Sequence, residues 1–224
     1  RGCGPNCFSI GATKGSLRFE RTVCADVMTM FLEAEKTALL LIDVQDYVLD
    51  PVNHPPRPFF YDRIEQVVWP SLSKLLPAAR KSGVEVTYTV MENLTQDGRD
   101  RSLDYKLSGF NIPKGSQGGQ VTSRFAPQND EIVLNKSSAC LFHSTNFDYV
   151  MRNIGISTIL CTGFLTDQCV EQTMKVGSVL GYRMICIEDA CATDTDDRHA
   201  SALKRIALSG EIASSQTVRA ALAA

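Results

Sequence analysis

The sequence predicts a three-layer α/β/α sandwich around a six-stranded, mainly parallel, doubly wound sheet. Three observations carry this. Six short apolar runs alternate with helical patterns from residue 37 onward. The longer runs are apolar almost without a break, as strands covered on both faces are. No repeat or linker interrupts the series, so one domain accounts for it. Right-handed crossovers then put helices on both sides of the sheet.

Each element has its own signal. Residues 37–43 read as a buried strand. Residues 61–81 read as a helix, apolar at Ile64, Val67, Val68, Leu72, Leu75 and Leu76; Pro70 kinks or splits it, and Gly83 closes it. Residues 84–90 are the next strand. The stretch 92–128 is polar, Gly-rich and without a period, and a loop that long in a compact domain is usually a lid or a binding segment. A strand at 131–134, a helix at 146–153, a strand at 157–162 and a helix at 166–180 ended by Gly181 follow. The chain closes with a strand at 182–187, a helix at 196–208, a short strand near 211–214 and a terminal helix. Residues 1–35, Gly-rich and basic at their start, are expected to be an N-terminal extension, and 36–224 the domain.

With 224 residues, 44% hydrophobic and 21% charged, the chain can bury a sizeable core. A net charge of −2 speaks against a nucleic-acid partner. No apolar run approaches the roughly 20 residues of a membrane span, so no membrane partner is expected. The eight cysteines include no CxxC pair. Cys140, Cys161 and Cys186 fall in or beside strands as packed thiols, which argues for a reducing, cytoplasmic compartment rather than a disulfide framework.

In open α/β sheets the ligand site lies beyond the carboxyl ends of the strands. Asp43 follows the first strand, Glu92 and Asn93 the second, Asn135 and Lys136 the third, Glu188 and Asp189 the fifth. Cys169 follows the fourth by one turn, where a Gly and a capping Thr or Asp mark a strand, a tight turn and a helix start. Unpaired N–H groups and the dipole of a first helical turn favour thiolate over thiol and can hold an oxyanion. Singly, each residue has a bland reading: Asp43 as a turn cap, Lys136 as a solvated lysine, Cys169 as a packed thiol. Together they form a set for covalent catalysis, with a carboxylate to take the thiol proton and an ammonium to hold the charges.

The stretches Leu39-Leu40-Leu41-Ile42-Asp43-Val44-Gln45, Val133-Leu134-Asn135-Lys136 and Gly163-Phe164-Leu165-Thr166-Asp167-Gln168-Cys169-Val170 resemble the isochorismatase-like cysteine hydrolases, over about residues 36–218. The resemblance implies a six-stranded parallel sheet and a triad of Asp43, Lys136 and Cys169. It also implies a cis peptide between Phe164 and Leu165 and an oxyanion hole from the N–H groups of Leu165 and Cys169. Relatives are often dimers or tetramers, so a homo-oligomer is expected. Metal-binding members resemble one another in an Asp-x-His pair and a further His after the first strand. Here Asp50-Pro51-Val52-Asn53-His54 has the wrong spacing and Asp197-Arg198-His199 lies far along the chain, so neither a metal nor another cofactor is expected.

The expected function is that of a metal-independent cysteine amidohydrolase. It would cleave a C–N bond of a small amide, ureido or carbamoyl substrate through a thioester. Alternatives are an isochorismatase-type hydrolase, a nicotinamidase, or a thiol redox sensor resolving Cys169 with Cys161 or Cys191. Gln45, Tyr47 and Thr166 flank the triad positions and are expected to contact substrate. Glu92 and Asn93 suit a urea group, and Arg99, Arg101 or Lys106 a substrate carboxylate.

Overall fold

The computed structural model describes residues 30–223, so most of the expected extension lies outside the described residues. The six strands are β1 (Thr37–Ile42), β2 (Glu85–Met91), β3 (Ile132–Lys136), β4 (Thr158–Phe164), β5 (Arg183–Ala192) and β6 (Glu211–Ala213). They lie in the order β3-β2-β1-β4-β5-β6, and every neighbouring pair is parallel. The central strand β1 is buried at every position, as its Thr-Ala-Leu-Leu-Leu-Ile run requires. The chain winds outward from β1 through β2 to β3, then crosses to β4 on the other side of β1 and winds outward again. The switch point therefore falls between the carboxyl ends of β1 and β4.

This winding also sorts the helices. The short α1 (Asp46–Leu49), then α2 (Pro58–Arg63) and α3 (Trp69–Ser82), connect β1 to β2. One short α-helix, α4 (Leu103–Leu107), and two 3-10 turns lie between β2 and β3, and α5 (Leu141–Ser144) and α6 (Phe147–Asn153) between β3 and β4. Next come α7 (Glu171–Val179), α8 (Asp196–Ile206) and α9 (Ser215–Leu222). The terminal α9 packs back on α3, while α7 packs on α5, α8 and β5. No described helix is long and apolar enough to cross a membrane.

The helix expected over 61–81 begins earlier, with Pro58 at its first position, where a missing N–H costs nothing. It runs on through a π turn, Ile64–Val68, immediately before Pro70. Pro70 can neither donate to the preceding turn nor avoid crowding it, and the widened turn absorbs this without breaking the helix. Gly83 closes α3 at φ 79°, as expected.

Two strand ends move. β3 extends to Lys136, so Asn135 and Lys136 end the strand rather than follow it. β5 runs past its expected end at 187, because its pairing with β4 steps from Cys161–Cys186 to Gly163–Cys191 through a bulge. Glu188 and Asp189 therefore lie inside the strand and not beyond it. Asp189 accepts from Ser71 Oγ at 2.9 Å, Ser215 N at 2.7 Å and Ser215 Oγ at 2.6 Å, and so braces α3 and α9.

Candidate active site

Three side chains converge at the switch point. Asp43 follows β1 directly with φ 56°, a left-handed conformation that Asp tolerates better than most residues. Its N–H donates to Thr89 O at 2.9 Å, and its Oδ1 accepts from Thr89 Oγ1 at 3.3 Å. Lys136 ends β3, two strands from β1. Neighbouring strands lie about 4.8 Å apart, so only a long side chain bridges that span. Lys136 Nζ reaches Asp43 Oδ2 at 2.9 Å, both side chains fully buried, and Cys169 Sγ at 3.3 Å. The ammonium also donates to Ser138 O at 3.2 Å and Tyr105 OH at 3.4 Å. Asp43 Oδ2 takes the ion pair with Lys136, and the Cys169 thiol lies within hydrogen-bonding reach of the same carboxylate.

Cys169 is carried on a π turn, Thr166–Val170, that starts directly after β4. The Leu165 carbonyl accepts from Gln168 N and Val170 N. The described main-chain bonds to that carbonyl skip Cys169 N–H, which a regular α-helix would have assigned to it. The peptide bond between Phe164 and Leu165 is cis. Gly163, just before it, has φ 108°, and a Cβ there would lie 2.0 Å from the Ile42 carbonyl oxygen.

Burial dominates the titration of this cluster. It pushes the Asp43 carboxyl up, with Lys136 partly offsetting it. Burial penalises the Lys136 ammonium too, but Asp43 and Cys169 outweigh that and hold its pKa well above the usual lysine value. The Cys169 thiol is pushed up to about 12 by burial, against the pull of Lys136 and with a further push from Asp43. Burial here works against the preference for thiolate that a helix start gives. The residue is only 4% exposed, and desolvation of the anion exceeds what one ammonium and a helix start return.

The cluster opens into a cleft of about 700 Å³ whose lining includes Cys169, Leu165, Phe164, Tyr47, Tyr105 and Arg57. That size suits a small molecule. Tyr47 meets Phe110 edge-on at 5.2 Å, and Tyr105 packs on Phe110 at 4.7 Å, giving an aromatic wall.

Of the expected substrate contacts, Tyr47 lines this cleft; the others make hydrogen bonds or ion pairs within the protein. Gln45 is buried, donating to Met91 O at 3.0 Å and Gly118 O at 2.8 Å and accepting from Met91 N at 2.6 Å. Glu92 accepts from Gly115 N at 2.9 Å and from Asn135 Nδ2. Asn93 donates to Asn111 Oδ1 at 2.7 Å. Arg101 donates to Gly98 O at 2.9 Å and Phe110 O at 2.6 Å. Arg99 is exposed and pairs with Asp97 at 3.0 Å, and Lys106 Nζ donates to Arg99 O at 2.8 Å. Thr166 Oγ1 lies 2.9 Å from His199 Nδ1. Gln45, Glu92, Arg101 and Lys106 sit where loop carbonyls and amides need partners and bond to the backbone, while Asn93, Arg99 and Thr166 pair with neighbouring side chains. Residues 92–122 are consequently strapped together rather than loose.

The sequence reading passed over Arg57 and Tyr105 as site residues. Arg57 lies in Pro55-Pro56-Arg57-Pro58, which reads as a turn, and nothing in that pattern signals burial of the guanidinium. Tyr105 sits inside the polar stretch, its contact with Lys136 set by the tertiary fold alone. The two histidines considered as ligands are occupied elsewhere. His54 Nε2 lies 2.9 Å from Tyr47 O, and His199 sits between Thr166 and Arg63. Among the described residues no His, Cys, Asp and Glu side chains gather in a group of three or more able to hold a metal. Cys161 and Cys191, the candidate resolving thiols, are fully buried in β4 and β5, and Cys191 Sγ lies 4.0 Å from Cys186 Sγ.

Comparison with known proteins agrees with this architecture. The isochorismatase domain profile matches residues 37–217. The N-carbamoylsarcosine amidase of an Arthrobacter species is 30% identical over 138 residues, which are 59% of this chain and 52% of that protein. The chain thus aligns with about half the length of this curated relative. A cysteine hydrolase from Pseudomonas syringae pv. phaseolicola superposes with a TM-score of 0.76 at 25% identity, over 86% of this chain and 94% of that one. An N-carbamoylsarcosine amidase from Thermoplasma acidophilum shares the fold, with a TM-score of 0.65 at 23% identity over 80% and 96% of the two chains. The match over residues 37–217, on a sheet whose switch point gathers Asp43, Lys136 and Cys169, makes this chain a member of the isochorismatase family of hydrolases.

Proposed function

We propose that the protein is a cysteine amidohydrolase, cleaving a C–N bond of a small amide, ureido or carbamoyl substrate through a thioester without a metal. One observation carries the reading: Lys136 Nζ stands 2.9 Å from Asp43 and 3.3 Å from Cys169 Sγ at the end of a small-molecule cleft. A buried carboxylate, ammonium and thiol in mutual contact are costly to the fold, and such perturbed clusters mark reaction centres.

In this mechanism Cys169 rests as a thiol. Asp43 takes its proton as Sγ attacks the substrate carbonyl carbon. The resulting oxyanion is held by the N–H groups of Leu165 and Cys169, the latter spared by the π turn from the Leu165 carbonyl. Asp43 returns the proton to the leaving nitrogen, and ammonia or an amine departs as the C–N bond breaks. Asp43 then draws a proton from water, which attacks the thioester; the acid is released and Cys169 regains its proton. Lys136 keeps Asp43 ionised until the proton moves and then offsets the charge that develops on the sulfur. The N-carbamoylsarcosine amidase relatives favour the ureido and carbamoyl end of this substrate range.

The test is ammonia release from a panel of amides, ureas and N-carbamoyl acids, with mass spectrometry of the quenched enzyme. Turnover, an acyl adduct on Cys169, and loss of both in Cys169→Ala are expected, and dialysis against EDTA should leave turnover intact. Substantial turnover by Cys169→Ala would remove the covalent mechanism.

A further inference from the structure

The cleft holds a cation that the proposed reaction does not use. Arg57 lies in the wall of the cleft at the start of α2, between prolines that fix its backbone. Its side chain is 7% exposed, and its guanidinium lies 3.9 Å over the Phe60 ring. A guanidinium offers five N–H donors. Here one nitrogen donates to Val48 O, Nη1 reaches Asp194 Oδ1 only at 3.4 Å, and Nε is buried without a partner. Asp194 is held closer by Arg198, at 2.5 Å.

The scaffold arginines of the same protein behave differently. Arg63 donates to Cys191 O at 3.0 Å, Glu188 O at 2.9 Å and His199 Nε2 at 2.8 Å. Arg101 fills Gly98 O and Phe110 O at 2.9 and 2.6 Å. Each of these bonds is 3.0 Å or shorter. Arg57 is placed more deeply, lines the cleft beside Asp194, meets that carboxylate only at 3.4 Å, and leaves Nε without a partner. A desolvated fork of this kind is matched by a planar oxyanion group.

We infer that Arg57 is an anion subsite. It receives the carboxylate of a substrate whose amide or ureido carbon meets Cys169, which makes the preferred substrate class ureido or amido carboxylic acids. This rests on the hydrolase reading above and assigns to Arg57 the role that the sequence had given to Arg99, Arg101 or Lys106.

The test compares N-carbamoylglycine, N-carbamoyl-β-alanine and N-carbamoyl-4-aminobutyrate with N-hydroxyalkylureas of matching length. In the wild-type enzyme at least one acid should exceed its neutral partner in kcat/KM by about 10- to 100-fold, mainly through KM. That ratio should fall toward unity in Arg57→Met and be partly kept in Arg57→Lys. Calorimetry of the same ureas with Cys169→Ser reads binding apart from chemistry. If acids and neutral ureas are turned over equally by wild type, the subsite is wrong and the hydrolase stands. If acids bind Cys169→Ser through Arg57 but wild type turns over nothing, the subsite stands and the hydrolase falls. If nothing binds and nothing is turned over, both fall. Should Arg57→Met fail to fold, the wild-type comparison decides alone.

Discussion

Gly163 and Ile42 meet main chain to main chain: a Cβ on Gly163 would stand 2.0 Å from the Ile42 carbonyl oxygen. This contact closes β4 onto β1 at the point from which Asp43 and the turn bearing Cys169 depart. Gly163→Ala must push the strands apart and also hold a side chain at φ 108°. We expect a loss of roughly 3 kcal/mol or more, read as a Tm lowered by about 6–12 °C. A Tm within a degree of wild type would show that the strands give way easily.

Lys136→Met removes the ammonium between two groups that carry charge in turn. Asp43 then faces a developing thiolate with no counter-charge, so burial acts on both unopposed. Under the proposed mechanism kcat/KM falls by about 100-fold or more. Alkylation of Cys169 by iodoacetamide at fixed pH slows in parallel. Normal turnover with unchanged alkylation would make Lys136 a packing residue.

The two titrations differ in what they predict with pH. The proposed mechanism needs Asp43 ionised, and burial raises its carboxyl above the ordinary 3.8. The acid limb of kcat/KM should therefore lie above that value, with activity lost as pH falls through it. With the Cys169 thiol pushed up to about 12, its alkylation rate should climb about tenfold per pH unit from neutrality to about pH 10, without levelling. A plateau below pH 8 would mean a standing thiolate.

His199 offers a stability test. Burial first, then Arg63, lowers its pKa to about 4 from 6.5. Arg63 can only donate, so Nε2 accepts, and the ring proton sits on Nδ1 and points at Thr166 Oγ1. The unfolded chain binds the proton at a higher pH than the folded one, so this stabilisation is full above about pH 6.5 and drains away as pH falls to about 4. It amounts to roughly 3 kcal/mol. Denaturant melts of wild type should show that slope and His199→Gln should lack it. Nitrogen shifts at pH 6 should report a neutral ring with Nδ1 protonated; a charged ring there would contradict the network.

The parts legible in the sequence were those fixed by the strand pattern. Asp43, Lys136 and Cys169 could be gathered because each stands at the carboxyl end of a continuous apolar run, and a parallel sheet brings those ends together. Glu188 and Asp189 obeyed the same rule on paper and failed it in space, since a bulge leaves no hydropathy trace and carried β5 past them. Gln45, Glu92, Asn93 and Arg101 illustrate a different limit. A polar side chain near a site looks the same in sequence whether it will hold a ligand or a loop carbonyl, and the backbone's demand decides. Arg57 shows the converse: three prolines advertise a turn, while its burial against Phe60 depends on where α2 lands.

The strapping of residues 92–122 bears on kinetics. Gln45, Glu92, Asn93 and Arg101 spend their hydrogen bonds on the protein itself, so the wall they support is held by the chain and not by what binds to it. Association should then be one bimolecular event, linear in substrate concentration and without the slow isomerisation that follows when a disordered segment must fold over its ligand. Selectivity in such an enzyme is exercised at entry, by which molecules fit and hold, rather than by a closing step that samples and rejects them.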